Sequence, residues 1–126
     1  MNIGIVGCGN ISETYFECQK IFNNFKIVAC ADINKEAASN AASKYNVKSL
    51  SVEEIVESNE IDLIINLTIP AAHKEIITKS LHNGKHCFSE KPLAMNFEEG
   101  LEIQKLADEK GLYVGCAPDT LSLIHI

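Results

Sequence analysis

Short runs of apolar, often β-branched residues recur along this chain, and longer amphipathic stretches separate them. Period-two and fully apolar runs read as strands, and 3.6-residue periodicity reads as helix. The first strand is Met1 to Val6, followed by a helix over residues 10–23 that carries apolar Ile11, Tyr15, Phe16, Cys18 and Phe22. Lys26 to Ala31 is the second strand, and the Ala-rich residues 34–45 are the second helix. Val47 to Leu50 reads as a short edge strand. Ser51-Val52-Glu53-Glu54 is a capping box that opens a short helix. Ile61 to Leu67 is apolar and β-branched around Leu63-Ile64-Ile65, as a centrally buried parallel strand is. Pro70 stands where a helix begins, and Asn83-Gly84 is its stop. Lys85 to Ser89, a helix from Asn96 to Gly111, and Leu112 to Cys116 complete the series, with no linker, repeat or low-complexity segment. Six strands joined by helical crossovers predict an α/β fold, a doubly wound parallel sheet in the order 3-2-1-4-5-6. Ligands of such sheets bind beyond the carboxyl ends of the strands, at the switch between strands one and four.

Strand ends therefore carry the chemistry. The first runs into Gly7-Cys8-Gly9-Asn10-Ile11-Ser12. Gly7 permits the tight turn, and Gly9 lets backbone approach a diphosphate with no Cβ in the way. The helix that follows offers its unpaired N–H groups to the anion, which counts Asn10 and Ile11 among the cofactor-binding positions. A lone Gly-x-Gly is weak; strand before and helix after give it weight. Ser12 replaces the third glycine of the usual fingerprint, and is small enough to keep helix and strand close. The second strand ends in Asp32, placed to accept hydrogen bonds from the adenosine ribose. Asp32 has a second reading as the cap of the next helix, although Asn34 is also available for that.

Composition narrows the partners. At 126 residues, with 46% hydrophobic and 22% charged residues, the chain fits one globular domain. A formal charge of −6 argues against nucleic acid and anionic membranes. Without a single arginine, the chain lacks the usual clamp for a ribose 2′-phosphate, and Asp32 would repel one. NAD is thus expected over NADP, with Lys35 as the point charge that would weaken the preference. Cys8, Cys18, Cys30, Cys87 and Cys116 lack any C-x-x-C spacing, which fits free thiols in a reducing cytosol rather than disulfides or zinc. No signal peptide is expected, since no charged lead precedes an uninterrupted apolar block, and no apolar run here has membrane length. No metal site is expected.

The fifth strand ends in Ser89-Glu90-Lys91-Pro92. Lys91 is placed to hydrogen-bond a substrate oxygen and to take or return the proton that accompanies hydride transfer, partial burial lowering its pKa. A surface Glu–Lys pair ahead of a helix explains the same residues.

Glu90-Lys91-Pro92-Leu93-Ala94 resembles the Glu-Lys-Pro signature of the Gfo/Idh/MocA family. Asn66-Leu67-Thr68-Ile69-Pro70-Ala71-Ala72-His73 resembles that family's loop after strand four, and Gly84-Lys85-His86 its approach to strand five. Gly115-Cys116-Ala117-Pro118-Asp119-Thr120 resembles the segment after strand six in one branch. The resemblance runs from Met1 to about Thr120, with its motifs in order. It implies a Rossmann domain of an NAD(P)-dependent oxidoreductase acting on a sugar, cyclitol or related polyol. In that family the lysine matching Lys91 is given a catalytic role and also contacts the cofactor. The positions matching Thr68, Pro70, His73 and Glu90 line the cofactor. His73 has an alternative as an exposed or capping residue in a helix's first turn, and Asp119 and Thr120 as a plain turn after Pro118.

Family members continue into a second α/β domain that supplies most of the substrate pocket, and they are expected to be cytoplasmic homo-oligomers. Residues 1–120 are expected to form the nucleotide-binding domain. Residues 121–126, Leu-Ser-Leu-Ile-His-Ile, are the direct translation of CTG-TCT-CTT-ATA-CAC-ATC, a transposon end used in preparing sequencing libraries. They are expected to be a non-native tail on a truncated product that binds NAD weakly and turns over no sugar. Two other function classes share the glycine loop and the acidic residue. One is a non-catalytic NAD-sensing module, which has no need of Lys91. The other is a methyltransferase-type domain, against which the strand-five motif argues.

Overall fold

The computed structural model describes residues 1–9, 12–18, 26–90 and 97–116. Asn10, Ile11, Phe22, Lys91, Pro92, Asn96, Asp119, Thr120 and the tail 121–126 lie outside the described residues. The strands are β1 (Asn2–Val6), β2 (Lys26–Ala31), β3 (Lys48–Ser49), β4 (Leu63–Asn66), β5 (His86–Ser89) and β6 (Val114–Cys116). The helices are α1 (Ser12–Cys18), α2 (Lys35–Tyr45), α3 (Val52–Glu57), α4 (His73–His82) and α5 (Phe97–Lys110). All strand pairs are parallel, in the order β3-β2-β1-β4-β5-β6. The expected doubly wound sheet is the one observed.

Alternating side chains of the central strands feed two cores, one on each face. On one face Val6, Ile64 and Cys87 pack against Ile55, Ile76, Ile77, Leu81 and Ile103 of α3, α4 and α5. On the other, Ile3, Ile5, Ile27 and Ile65 pack against Phe16 and Ala42 of α1 and α2. Phe16 and Tyr45 stack there with centroids 4.2 Å apart. Gly4 lets α3 lie directly on β1, because a Cβ at that position would meet Ile55 Cγ1 at 2.8 Å.

Helix ends follow their sequence signals. Asn34 caps α2, its Oδ1 accepting from the N–H groups of Glu36 and Ala37. The Ser51/Glu54 capping box is formed in both directions. The Pro70 helix differs from expectation. A 3-10 turn occupies Pro70–Ala72, and the α-helix starts only at His73. Ala72 has no side chain to cap the helix, so its own N–H closes a tight turn onto Ile69 O at 2.9 Å. The edge strands β3 and β6 are shorter than the sequence predicts, and among the described residues each has a neighbour on one side only.

Lys85 is a buried charge, 5% exposed, at the amino-terminal edge of the sheet. Its Nζ donates to Ser58 O at 2.5 Å and Ile61 O at 2.9 Å, so it ties the end of α3 to the approach of β4. Burial pushes its ammonium pKa down, and Asp62 opposes that shift. The residue stands at the opposite end of the strands from the glycine loop.

Candidate functional site

At the carboxyl end of β1 the chain turns at Gly7, with φ at +104°. An added Cβ would sit 2.7 Å from the backbone carbon and oxygen of Leu67, so the close passage of β1 and β4 at the switch point requires glycine here. Gly7 N–H donates to Ala31 O at 2.8 Å, and Leu67 N–H to Val6 O at 2.7 Å, which bind the turn to both neighbouring strands. Gly9 is exposed, and the place its Cβ would take is open space. Ser12 is buried and turns its hydroxyl back onto Gly9 O at 2.6 Å. The residue in the third glycine's place thus braces the loop.

Asp32 leaves the end of β2 and joins two segments. Its Oδ2 accepts the Cys8 N–H at 2.7 Å, and its Oδ1 accepts the Asn34 N–H at 2.9 Å. Asn34 performs the helix capping, so the carboxylate is not needed for that. Each of its oxygens keeps acceptor capacity for a further donor. The Cys8 thiol lies beside Cys30, and that contact, burial and the Asp32 charge all push its pKa up. Cys8 therefore remains a neutral thiol and brings no negative charge to the loop.

Two hollows flank Asp32. One, of about 430 Å³, is bordered by Gly7, Gly9, Asp32, Thr68 and Ile69, with Lys79 at its far side. The other, of about 450 Å³, lies beyond the ends of β2 and β3 against Lys35, Ser39, Ser49 and Glu54. The first holds the glycine loop and sits at the β1–β4 switch, where open α/β sheets take their ligands, and is the candidate crevice. Ile33 and Ile69 project on its rim, 88% and 70% exposed, and Glu53 borders both hollows. Sequence reasoning missed these three. For the two isoleucines the available signal was an apolar residue placed just beyond a strand end, where no core can use it; Glu53, within the capping box, offered none.

The loop after β4 is held from beneath. Asn66, fully buried, accepts on Oδ1 from the Thr68 hydroxyl at 2.6 Å and donates through Nδ2 to His73 O at 3.1 Å. His73 is 1% exposed, neither at the surface nor capping with its side chain. Its Nε2 lies 2.6 Å from Thr68 O, a contact that requires the ring proton on Nε2. Its Nδ1 faces Ser89 Oγ at 3.4 Å. Thr68 borders the crevice, Pro70 opens the 3-10 turn that leads into α4, and His73 holds the Thr68 carbonyl. His82 is exposed, and His86 accepts the Tyr113 N–H on Nδ1.

Glu90 stands half-buried directly after β5, its Oε1 accepting the Tyr15 hydroxyl at 2.5 Å. The sequence reading had Tyr15 as part of an apolar helix face and missed this bond. Among the described residues no cluster of His, Cys, Asp and Glu is arranged to hold a metal ion, and no helix is long and apolar enough to cross a membrane.

Fold and crevice together define a nucleotide-binding α/β domain, with a glycine loop at its switch point and an acidic residue beside it. The chain belongs to the Gfo/Idh/MocA oxidoreductase family with an NAD-binding Rossmann fold, whose sequence model matches residues 1–117. It is 31% identical over 107 residues to inositol 2-dehydrogenase of Agrobacterium fabrum, covering 82% of this chain and 32% of that protein. It is 30% identical over 113 residues to 2,7-anhydro-N-acetylneuraminate hydratase of Escherichia coli, covering 89% of this chain and 30% of that protein. The structure superposes on biliverdin reductase of Synechocystis sp. PCC 6803, solved with biliverdin and NADP+, with a TM-score of 0.86 and 28% identity. That match covers 91% of this chain and 37% of the other. The chain thus spans about a third of the length of the proteins it matches.

Proposed function

We propose that this chain is the NAD-binding part of an oxidoreductase that moves hydride between nicotinamide and a sugar, cyclitol or related polyol. The observation that carries the reading is Asp32, whose carboxylate is fixed by the Cys8 and Asn34 N–H groups at the border of the glycine-loop crevice. Gly7, Gly9, Asn10 and Ile11 are assigned to the diphosphate, and Asp32 to the adenosine ribose. Thr68 and Pro70 are assigned to the wall of the crevice, with His73 acting through Thr68, whose carbonyl it holds. Glu90 and Lys91 are assigned to the nicotinamide side. When bound, the nicotinamide supplies the hydride acceptor or donor, and the Lys91 amine is given the proton transfer at the substrate oxygen.

Asp32 and Glu53 both border the crevice, and the chain has no arginine, so a ribose 2′-phosphate would meet carboxylates without a guanidinium partner. NAD is accordingly preferred over NADP. Cys30 and Cys87 are free and buried, which fits a reducing cytoplasm. The 126 residues alone are expected to bind NAD weakly and to turn over no substrate, since the surface that would close over the nicotinamide belongs to the rest of such proteins.

Calorimetric titration with NAD+, NADP+ and S-adenosylmethionine tests the reading. Binding of NAD+ at least several-fold tighter than NADP+, with no heat from S-adenosylmethionine, is expected. Preference for S-adenosylmethionine would replace the oxidoreductase reading with that of a methyltransferase.

A further inference from the structure

Helix α1 and the end of β5 are 75 positions apart in sequence and are joined by the bond from the Tyr15 hydroxyl to Glu90 Oε1, 2.5 Å long. The Tyr15 ring leans on Phe88 of β5, centroids 6.4 Å apart at 56°, so packing places the ring and the hydroxyl meets the carboxylate. The Glu90 backbone is fixed as well. Its N–H donates to Asn66 O at 3.0 Å, and its carbonyl accepts from Ser89 Oγ at 3.0 Å. Oε2 has no hydrogen-bond partner among the described residues.

Placement gives this pair a use. With Asp32 over β2 taking the adenosine ribose and the diphosphate at the β1–β4 switch, the other half of the dinucleotide extends over β4 and β5. Glu90 directly follows β5 on that side. The partner that orients it is a neutral hydroxyl. A lysine there would cancel the carboxylate's charge, whereas tyrosine aims it and leaves it in place. The oxidised nicotinamide ring is a cation and the reduced ring is neutral, so a fixed carboxylate distinguishes them.

Resting on the dinucleotide reading above, we propose that Tyr15 is a positioning residue that holds the Glu90 carboxylate toward the oxidised nicotinamide, so that the site favours NAD+ over NADH. The effect runs through Glu90 alone. It leaves the adenosine and diphosphate contacts untouched.

Calorimetry of the chain with NAD+, NADH and ADP-ribose, which lacks the nicotinamide, separates the possibilities. Tyr15→Phe keeps the ring packing and removes the hydroxyl. It is expected to weaken NAD+ roughly five- to ten-fold, about 1–1.4 kcal/mol, with NADH and ADP-ribose within two-fold of wild type. Glu90→Gln is expected to show the same selective loss, and the double variant to be no worse than Glu90→Gln alone. A purely structural tyrosine would weaken all three ligands alike. That result, an unchanged affinity of Tyr15→Phe for NAD+, or additive losses in the double variant would overturn the proposal. Should Tyr15→Phe fail to fold, Glu90→Gln decides by the same comparison of ligands. Failure of the wild-type chain to bind any of the three would instead sink the dinucleotide reading itself.

Discussion

Gly7 and Asp32 show how much a single residue decides here. Gly7 combines a positive φ with the Leu67 backbone, just past β4, 2.7 Å from where a Cβ would lie, so Gly7→Ala faces both strain and overlap. It is expected to lose roughly 2–4 kcal/mol of stability in urea unfolding. Asp32→Ala removes a charged acceptor, and NAD+ affinity in calorimetry is expected to fall by about ten-fold or more. Cys87 gives a pH dependence. Burial pushes its thiol up to about 12 from an ordinary 9.0. Between those values the unfolded chain releases a proton that the folded chain retains, so stability falls as pH rises through that window. Each pH unit inside it costs up to about 1.4 kcal/mol. Urea midpoints at pH 8 and pH 10 are expected to converge in Cys87→Ala relative to wild type. Glycine and aspartate at strand ends were legible because backbone freedom and acceptor chemistry are properties of the residue itself. The burial of His73 was not, since it depends on Asn66, Thr68 and Ser89 closing around it.

Elements were legible to the extent that their signals are local. β2 has the bounds its apolar run predicts, and α2 begins one residue later than expected, just after the Asn34 cap. A helical turn does begin at Pro70, but it is 3-10 up to Ala72 and α4 follows from His73, because Pro70 signals a helical turn without fixing which kind. The capping box of α3 is formed in both directions, so Ser51→Ala is expected to cost about 1 kcal/mol, measured by thermal unfolding. Lys85 links α3 to β4 through two carbonyls; Lys85→Met would strip Ile61 O of its donor and leave Ser58 O with only the 3.4 Å contact from the Ile61 N–H. That variant is expected to lose roughly 1–3 kcal/mol with unchanged NAD+ affinity, since the lysine lies at the far end of the sheet.

At the scale of the whole molecule, the order of the six strands followed from the alternation of elements and the handedness of parallel crossovers. The place of the candidate crevice, at the β1–β4 switch, followed from that order. What sequence did not show are meetings between distant segments: Tyr15 with Glu90, Asp32 with the Cys8 N–H, and Ile33 and Ile69 on one rim. Pattern describes a neighbourhood of a few residues, and these contacts exist only once the sheet is assembled. The same assembly leaves two hollows of similar size on either side of Asp32, and the one containing the glycine loop is the proposed seat of the cofactor.

A ¹H–¹⁵N correlation spectrum of the chain, titrated with NAD+, tests that assignment most directly. The amides of Gly7, Cys8, Gly9, Asp32 and Thr68 are predicted to shift together, while those of Ser39, Ser49 and Glu54 stay in place. Shifts confined to the second group, or none at saturating NAD+, would contradict it.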